Sequence, residues 1–399
     1  MNLSILTIIV IILDFKMVRG LKKVFPRFSS RHWRGIKLAF IIQASLSVAI
    51  LLFAIFFNRK ISDYRFFTWY FYMFGAVCTV YVPKAYIAFF LLVDRFVKLS
   101  KNSQHVVAKC GYWTSLFVAF LFVWGIVFGR YNFTVEQVEI PLANLPQSFD
   151  GYRIVHLSDI HTGSFVGSVH RFQEVTDLIN EQMPDLIVMT GDVVNNFADE
   201  ILPFIPIFSQ MKARDGKFAV LGNHDYGGYH DWSNLADSVA NFKAIKNNIE
   251  QMGFTVLENQ SITIERGDSC RIALVGVENW GILERFPKRA DLEKALETVR
   301  DVPFRILLTH DPAFWTKFVE GKADIALTLA GHTHGMQLGL KIGNKRYNPL
   351  FKMRFGFLAG LYQTGEQYIY INRGLGVGLF PGRIGMPPEI TVITLRKEK

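Results

Sequence analysis

Cysteine is scarce in this chain, three residues in 399, and only Cys270 lies beyond residue 130. One thiol in that long second part rules out a disulfide framework there, and the lack of Cys near any polar motif argues against structural zinc of the thiolate kind. Acidic side chains are almost missing from the first part. Residues 1–130 carry 3 Asp/Glu against 17 Lys/Arg, a net +14, whereas residues 131–399 carry 31 against 27, a net −4. The basic excess therefore belongs to the apolar part, where it reads as a topology signal and as contact with lipid headgroups. Nucleic-acid binding would need a basic face on the polar part, which is mildly acidic. Repeats and low-complexity linkers are lacking too. What is abundant is apolar sequence: half the residues are hydrophobic and the mean hydropathy is +0.21, high for a soluble protein. The length also exceeds what one core usually holds.

Residues 1–130 read as a transmembrane region of three or four helices. Ile36–Phe57, Phe66–Val93 and Tyr112–Gly129 are each long enough to cross roughly 30 Å of hydrocarbon as a helix. Only Pro83-Lys84 interrupts the second, a kink and a cation suited to a polar crevice between helices. Leu3–Leu13 is shorter and ends at Asp14, so it is either a marginal span or a membrane-surface segment. Its basic residues follow the apolar run instead of preceding it, which argues against a signal peptide. Twelve Lys/Arg lie in Lys16–Lys37 and after the second long run, against Arg59, Lys60 and Arg65 between the first two runs. That asymmetry puts the basic loops in the cytoplasm and predicts a cell-membrane protein whose polar half is extracytoplasmic.

From Phe133 the pattern changes to short β-rich runs alternating with helical ones, with 131–149 as a connector and 150–399 as an α/β domain. Strands are predicted at Arg153–Leu157, Leu186–Thr190, Phe218–Leu221, Ile272–Val277, Phe304–Leu308, Ile325–Leu329 and Tyr368–Asn372. Helices are predicted at Val169–Glu181, Asp231–Gln251 and Arg289–Val302. Almost every polar box falls just after a strand, where open α/β sheets place their sites. The boxes are Ser158-Asp159-Ile160-His161, Gly191-Asp192-Val193-Val194-Asn195, Gly222-Asn223-His224-Asp225, Thr309-His310-Asp311 and Gly331-His332-Thr333-His334.

Each box alone has an ordinary explanation as a capped turn or a satisfied histidine. Together they have a chemical one. Asp-x-His after a strand lets two side chains grip one ion, Asp192 has two oxygens with which to bridge two ions, and His332 and His334 can each serve a different ion. Asn223 offers a neutral carbonyl oxygen, and an unligated His224 beside it can move a proton. Carboxylate, imidazole and amide donors suit borderline divalent ions such as Mn, Fe, Zn or Co.

In this order the boxes resemble the calcineurin-like metallophosphoesterase superfamily, with its pattern D-x-H, G-D-x-x-[DN], G-N-H-[DE], H and G-H-x-H, from about Asp150 to Thr394. The added helices and the ending Arg383 to Leu395 resemble its membrane-anchored branch. The resemblance implies a four-layer α/β/β/α sandwich and two divalent metal ions. By it, Asp159, His161, Asp192 and His334 would hold one ion. Asp192, Asn223, His310 and His332 would hold the other, and His224 would be the general acid. Two departures stand out: Asn195 occupies a position that is acidic in many members, and Met336 one where this branch often has Gly.

Arg373 and Arg383 follow the last strand and are candidates to clamp a second phosphate, or else form salt bridges. Leu338–Tyr362 interleaves Leu338, Leu340, Leu350, Phe351, Phe355, Phe357, Leu358 and Leu361 with Lys341, Lys345, Arg346, Lys352 and Arg354. It suits either a loop resting on anionic headgroups or one folded back on the domain. The reading is a membrane-anchored phosphoesterase or pyrophosphatase acting on a phosphorylated small molecule or lipid headgroup. By resemblance, a UDP-diacylglucosamine-like molecule is one candidate substrate. The alternative is a non-catalytic metal-containing receptor or sensor for a phosphorylated ligand.

Overall fold

The structure is a computed structural model that describes residues 3–61, 63–97, 105–267, 270–281, 288–343, 345–348, 357–378 and 380–398. The chain divides into two compact units, Met1–Phe128 with Phe380–Gly382, and Gly129–Leu379 with Arg383–Lys399.

The first unit is built on four helices, α1 (Leu3–Val24), α2 (Ser30–Phe57), α3 (Tyr64–Phe96) and α4 (Val106–Val127). α2, α3 and the stretch from Val106 to Tyr131 are long and apolar enough to cross a membrane. α1 continues well past the apolar run Leu3–Leu13, because Lys16, Arg19, Lys22 and Lys23 are good helix formers. The last two also sit in its final turn, where cations complement the helix dipole. Asp63 caps α3 by accepting from Arg65 N at 2.8 Å. Pro83 lies inside α3 without ending it. Beside it, Lys84 bonds the buried Asp14 carboxylate and Gln43, while Tyr81 donates to Asp14 at 2.5 Å and receives from Gln43 at 2.8 Å. The polar crevice expected around Pro83-Lys84 thus has named partners on α1 and α2.

The second unit contains two six-stranded sheets. Its strands are β1 (Thr134–Leu142), β2 (Arg153–Leu157), β3 (Leu186–Met189), β4 (Lys217–Ala219), β5 (Thr255–Val256), β6 (Gln260–Arg266) and β7 (Cys270–Gly276). They continue with β8 (Arg305–Leu308), β9 (Leu327–Ala330), β10 (Leu340–Ile342), β11 (Lys345–Tyr347), β12 (Gly360–Thr364), β13 (Gln367–Ile371) and β14 (Glu389–Lys397). One sheet runs β1-β14-β2-β3-β4-β5 and the other β12-β13-β9-β8-β7-β6, while β10 and β11 form a separate antiparallel pair. Ile154, Val188, Val220 and Ile393 of the first sheet share one buried cluster with Leu274, Ile306, Leu329 and Tyr370 of the second. The sheets therefore pack face to face.

Helices cover the outer faces. α5 (Phe172–Glu181) turns Phe172, Val175 and Ile179 inward, followed by α6 (Ile205–Phe208) and α7 (Leu235–Gln251). On the far side, Ala295 of α8 (Leu292–Leu296) joins Trp315, Val275 and Ile369 in a second cluster. This is the α/β/β/α arrangement. Each of the seven expected strands is present within a few residues.

Seven strands, β1, β5, β6, β10, β11, β12 and β14, escaped the sequence reading. The connector 131–149 contains β1, an edge strand paired in parallel with β14 from Thr134↔Glu389 to Leu142↔Lys397. Glu136, Gln137 and Glu139 in β1 mask the β pattern, and its only partner lies some 250 residues away. β6 is likewise half polar.

Candidate metal centre

The boxes converge because β2, β3, β4, β8 and β9 all run in parallel within their sheets and release their loops at carboxyl ends. Close approach of two of these loops demands glycine. A Cβ at Gly222 would come within 2.6 Å of Asp192 N. The loops are also laced together: Asp159 N donates to Gly191 O at 2.9 Å and His161 N to Asp192 O at 3.1 Å.

The Asp225 carboxylate accepts from Gly222 N, Asp192 N and Val193 N at 2.8 Å and from Val194 N at 3.2 Å, locking the second box to the third. Glu200 collects Gly163 N, Asn195 N, Asn196 N and Phe197 N in the same way. Burial pushes the Glu200 carboxyl up to about 7, against those four donors. Neither role is visible in the sequence. Asp225 completes a recognisable box, but Glu200 carries no local signal.

Six of the seven expected ligand residues, Asp159, His161, Asp192, His310, His332 and His334, come together, and Asn223 lies beside His224, whose N donates to Asp192 Oδ1 at 2.9 Å. His334 Nε2 lies 3.3 Å from Asp159 Oδ1 and 3.1 Å from His161 Nε2. Asp192 Oδ2 lies 3.2 Å from His310 Nε2 and 3.7 Å from His161 Nε2. His310 Nε2 in turn is 3.0 Å from His332 Nδ1. Asp159, His161, His334 form one set with ligand atoms within 4.8 Å of one another, and Asp192, His310, His332 another.

The donor set fits cations. Among the described residues, Asp159 Oδ1 and Asn223 Oδ1 are buried oxygens with no hydrogen-bond donor, which is costly unless a cation takes them. Asn223 is aimed by its own amide, whose Nδ2 donates to Tyr229 Oη at 2.8 Å. Burial holds His161 down to about 3 and His334 well below its usual value, so both present lone pairs. Burial would lower His310 as well, yet the adjacent Asp192 and Asp159 carboxylates raise it to about 10. A proton is attracted where a metal would otherwise supply the charge.

Five of these residues also lie in the left-handed region, with φ of 46° at Asp159, 49° at His161, 54° at Asp192, 70° at His332 and 52° at His334. Such conformations in non-glycine residues gather at functional sites, where the surrounding structure holds the strain.

His224 is turned by a partner other than the Asn195 side chain. Its Nδ1 donates to the Asn195 backbone carbonyl at 2.8 Å, and its ring stacks on Tyr229 with centroids 4.1 Å apart. The Asn195 amide oxygen instead meets His161 Nδ1 at 3.0 Å, orienting a ligand. The Asn in the second box therefore leaves His224 oriented, with Nε2 not engaged by that bond. Burial lowers the His224 pKa, while Asp192 and the Asn195 carbonyl raise it. Met336 takes up a φ of 57°, so the backbone there adopts the glycine-favoured conformation with a methionine.

Arg373 and Arg383 do not present free donors to a ligand. Arg373 is buried and paired with Glu136 at 2.8 Å and Glu389 at 3.0 Å. Arg383 is buried among backbone carbonyls, donating to Gly376 O, Met386 O and Arg373 O, with His334 Nδ1 at 3.5 Å. Burial lowers its pKa to about 9. Glu136, Glu389 and the carbonyls of Arg373, Gly376 and Met386 thus already engage the two guanidinium groups that were candidates for a phosphate clamp.

Within Leu338–Tyr362, Leu350, Phe351, Lys352, Arg354 and Phe355 lie outside the described residues. Leu340 and Ile342 are exposed, at 66% and 64%, whereas Phe357 packs on Trp315 and Tyr362 at the edge of the core. Arg346 is tied to Glu136 at 2.9 Å.

Residues 152–336 match the calcineurin-like phosphoesterase family. The chain is 34% identical over 256 residues to an uncharacterized metallophosphoesterase of Bacillus subtilis, covering 63% of this chain and 82% of that one. It is 32% identical over 328 residues to the Danio rerio transmembrane protein with metallophosphoesterase domain, covering 77% and 70% of the two chains. A solved dimetal phosphatase from Danio rerio shares 9% identity at a TM-score of 0.33, covering 57% of this chain and 88% of that one, too distant to argue from. With the five boxes converged on one cation-seeking cluster and relatives of this kind, the chain belongs to the calcineurin-like metallophosphoesterases.

Proposed function

We propose that this protein is a membrane-anchored hydrolase that cleaves a phosphoester or pyrophosphate bond with two divalent ions. Asp159, His161, Asp192 and His334 hold one ion, and Asp192, Asn223, His310 and His332 hold the other. The observation that carries this reading is the Asp192 carboxylate, whose Oδ2 stands between His310 and His161 at 3.2 and 3.7 Å, where a bridging ligand is needed. Bound there, the ions would neutralise phosphoryl oxygens and lower the pKa of an attacking water. His224, steadied by the Asn195 carbonyl and the Tyr229 ring, delivers a proton from Nε2 to the leaving oxygen.

Asp192→Asn should lower turnover of an aryl phosphodiester by about 100-fold or more and reduce bound metal from two ions to one, with the domain still folded. Two ions and near-parental turnover, read by elemental analysis and initial rates, would exclude the assignment. A parent chain that binds Mn yet turns over no phosphodiester would point to a binding-only receptor.

We further propose that the substrate is an amphiphile, such as a UDP-diacylglucosamine-like nucleotide lipid, whose phosphate lies at the membrane surface. Support comes from the β10–β11 hairpin, which exposes Leu340 and Ile342 a few residues after His334. Leu340→Ser with Ile342→Ser should depress turnover of such a lipid in mixed micelles while sparing a soluble aryl phosphate. Phe357 is unsuited to this test because it packs against the core. Equal losses on both substrates would remove the lipid claim.

A further inference from the structure

Short connections between successive helices reverse the chain, so α1 and α3 run parallel and end on the same side of the helical unit. They touch at Gly20, where an added Cβ would lie 2.5 Å from Leu91 Cδ1. Around this contact opens a cavity of about 520 Å³. The helical period puts Ile12, Leu13, Lys16, Gly20 and Lys23 on one face of α1, apolar first and basic last. α3 repeats the order, with Phe89 and Leu92 preceding Arg95. The cavity therefore grades along the helix axis from hydrocarbon walls to three exposed cations.

Asp94, the one acid in its lining, is occupied: His105 Nδ1 lies 2.7 Å away and Ala108 N donates to it at 3.2 Å. Among the described residues, no ion pair holds Lys16, Lys23 or Arg95, so their charge can meet a ligand.

We propose that this cavity is a site for an anionic phospholipid of the surrounding bilayer. The phosphate lies among Lys16, Lys23 and Arg95, and an acyl chain runs between Ile12, Leu13, Phe89 and Leu92. From Lys16 to Ile9 an α-helix rises by roughly 10 Å, enough for the first several methylenes of an acyl chain. Charge complementarity selects an anionic headgroup over a zwitterionic one, and basic pockets between membrane helices bind such headgroups. Nothing in the metal centre takes part.

The test uses the full-length chain purified in a neutral detergent and supplied with dioleoylphosphatidylglycerol or dioleoylphosphatidylcholine, with retained lipid counted by native mass spectrometry. The parent should retain the glycerol lipid roughly tenfold better than the choline lipid, and Lys16→Gln/Lys23→Gln/Arg95→Gln should abolish that preference. Lys22→Gln/Arg27→Gln, outside the cavity, should leave it within about twofold. Leu13→Trp, which fills the apolar half, should displace both lipids and supplies an independent reading if the triple variant fails to fold. Equal retention of the two lipids by the parent, equal losses in the triple variant and the outside control, or unchanged binding by Leu13→Trp would each overturn the site. The inference rests on the helices lying in a bilayer; a parent chain that stays monodisperse without detergent would refute that premise separately.

Discussion

Tyr229 shows how much of a metal centre is decided one residue at a time. Its hydroxyl holds the Asn223 amide so that Oδ1 is left for a cation, and its ring lies against His224. Tyr229→Phe keeps the stack and removes only the hydrogen bond. The expected result is about a tenfold weaker affinity for the second ion, with the His224-dependent step intact once metal is saturating. Metal titration of the rate separates the two effects, and an unchanged titration would mean that Asn223 needs no such support. Asp159, His161, Asp192, His332 and His334 were recognisable because each sits in a contiguous box after a strand. Tyr229, Glu200 and the backbone carbonyl of Asn195 were not, because their contribution is a direction in space with no fixed spacing. Arg373 and Arg383 were readable as cations after the last strand. Their employment was not readable, since Glu136 precedes Arg373 by more than 200 residues.

At the scale of elements, Asp14 and Lys84 link α1 to α3 through a buried ion pair with Tyr81 and Gln43 attached. Two charges in such surroundings give little net stability together, but either one alone is expensive. Asp14→Leu should therefore cost about 3–5 kcal/mol of unfolding free energy in detergent, whereas Asp14→Leu with Lys84→Met should recover most of it. Equal destabilisation by the single and double variants, measured by thermal unfolding, would mean that the pair is uncoupled. Hydropathy located α2, α3 and α4 because a membrane span needs an unbroken apolar run. It undersold α1, whose second half is basic, and it missed β1, whose alternation is blurred by Glu136 and Glu139. Those two elements are defined by neighbours: α1 by Lys84 and Leu91, β1 by nine register pairs with β14.

At the scale of the whole molecule, the distribution of Lys and Arg makes a claim about sidedness that no single element carries. Lys16, Arg19, Lys22 and Lys23 end α1 and Arg31, Arg34 and Lys37 begin α2, so these charges share one side of the helical unit. Arg59, Lys60 and Arg65 stand at the opposite turn. The expected topology leaves residue 399 outside the cytoplasm, so a reporter that works only in the cytoplasm should be silent when fused after Lys399. A bright reporter would invert the arrangement. The sequence by itself determined the partition into an apolar basic part and an α/β part, and which boxes of polar residues could hold metal. Hydropathy, charge and strand-end motifs are local and survive in one dimension. Only the tertiary structure decided which oxygens are left without donors, which carbonyl orients His224, and that Arg373 and Arg383 are already engaged by carboxylates and backbone carbonyls. Those outcomes depend on which distant group arrives first at a given atom, and burial then makes the loser's unmet hydrogen bond too costly to keep.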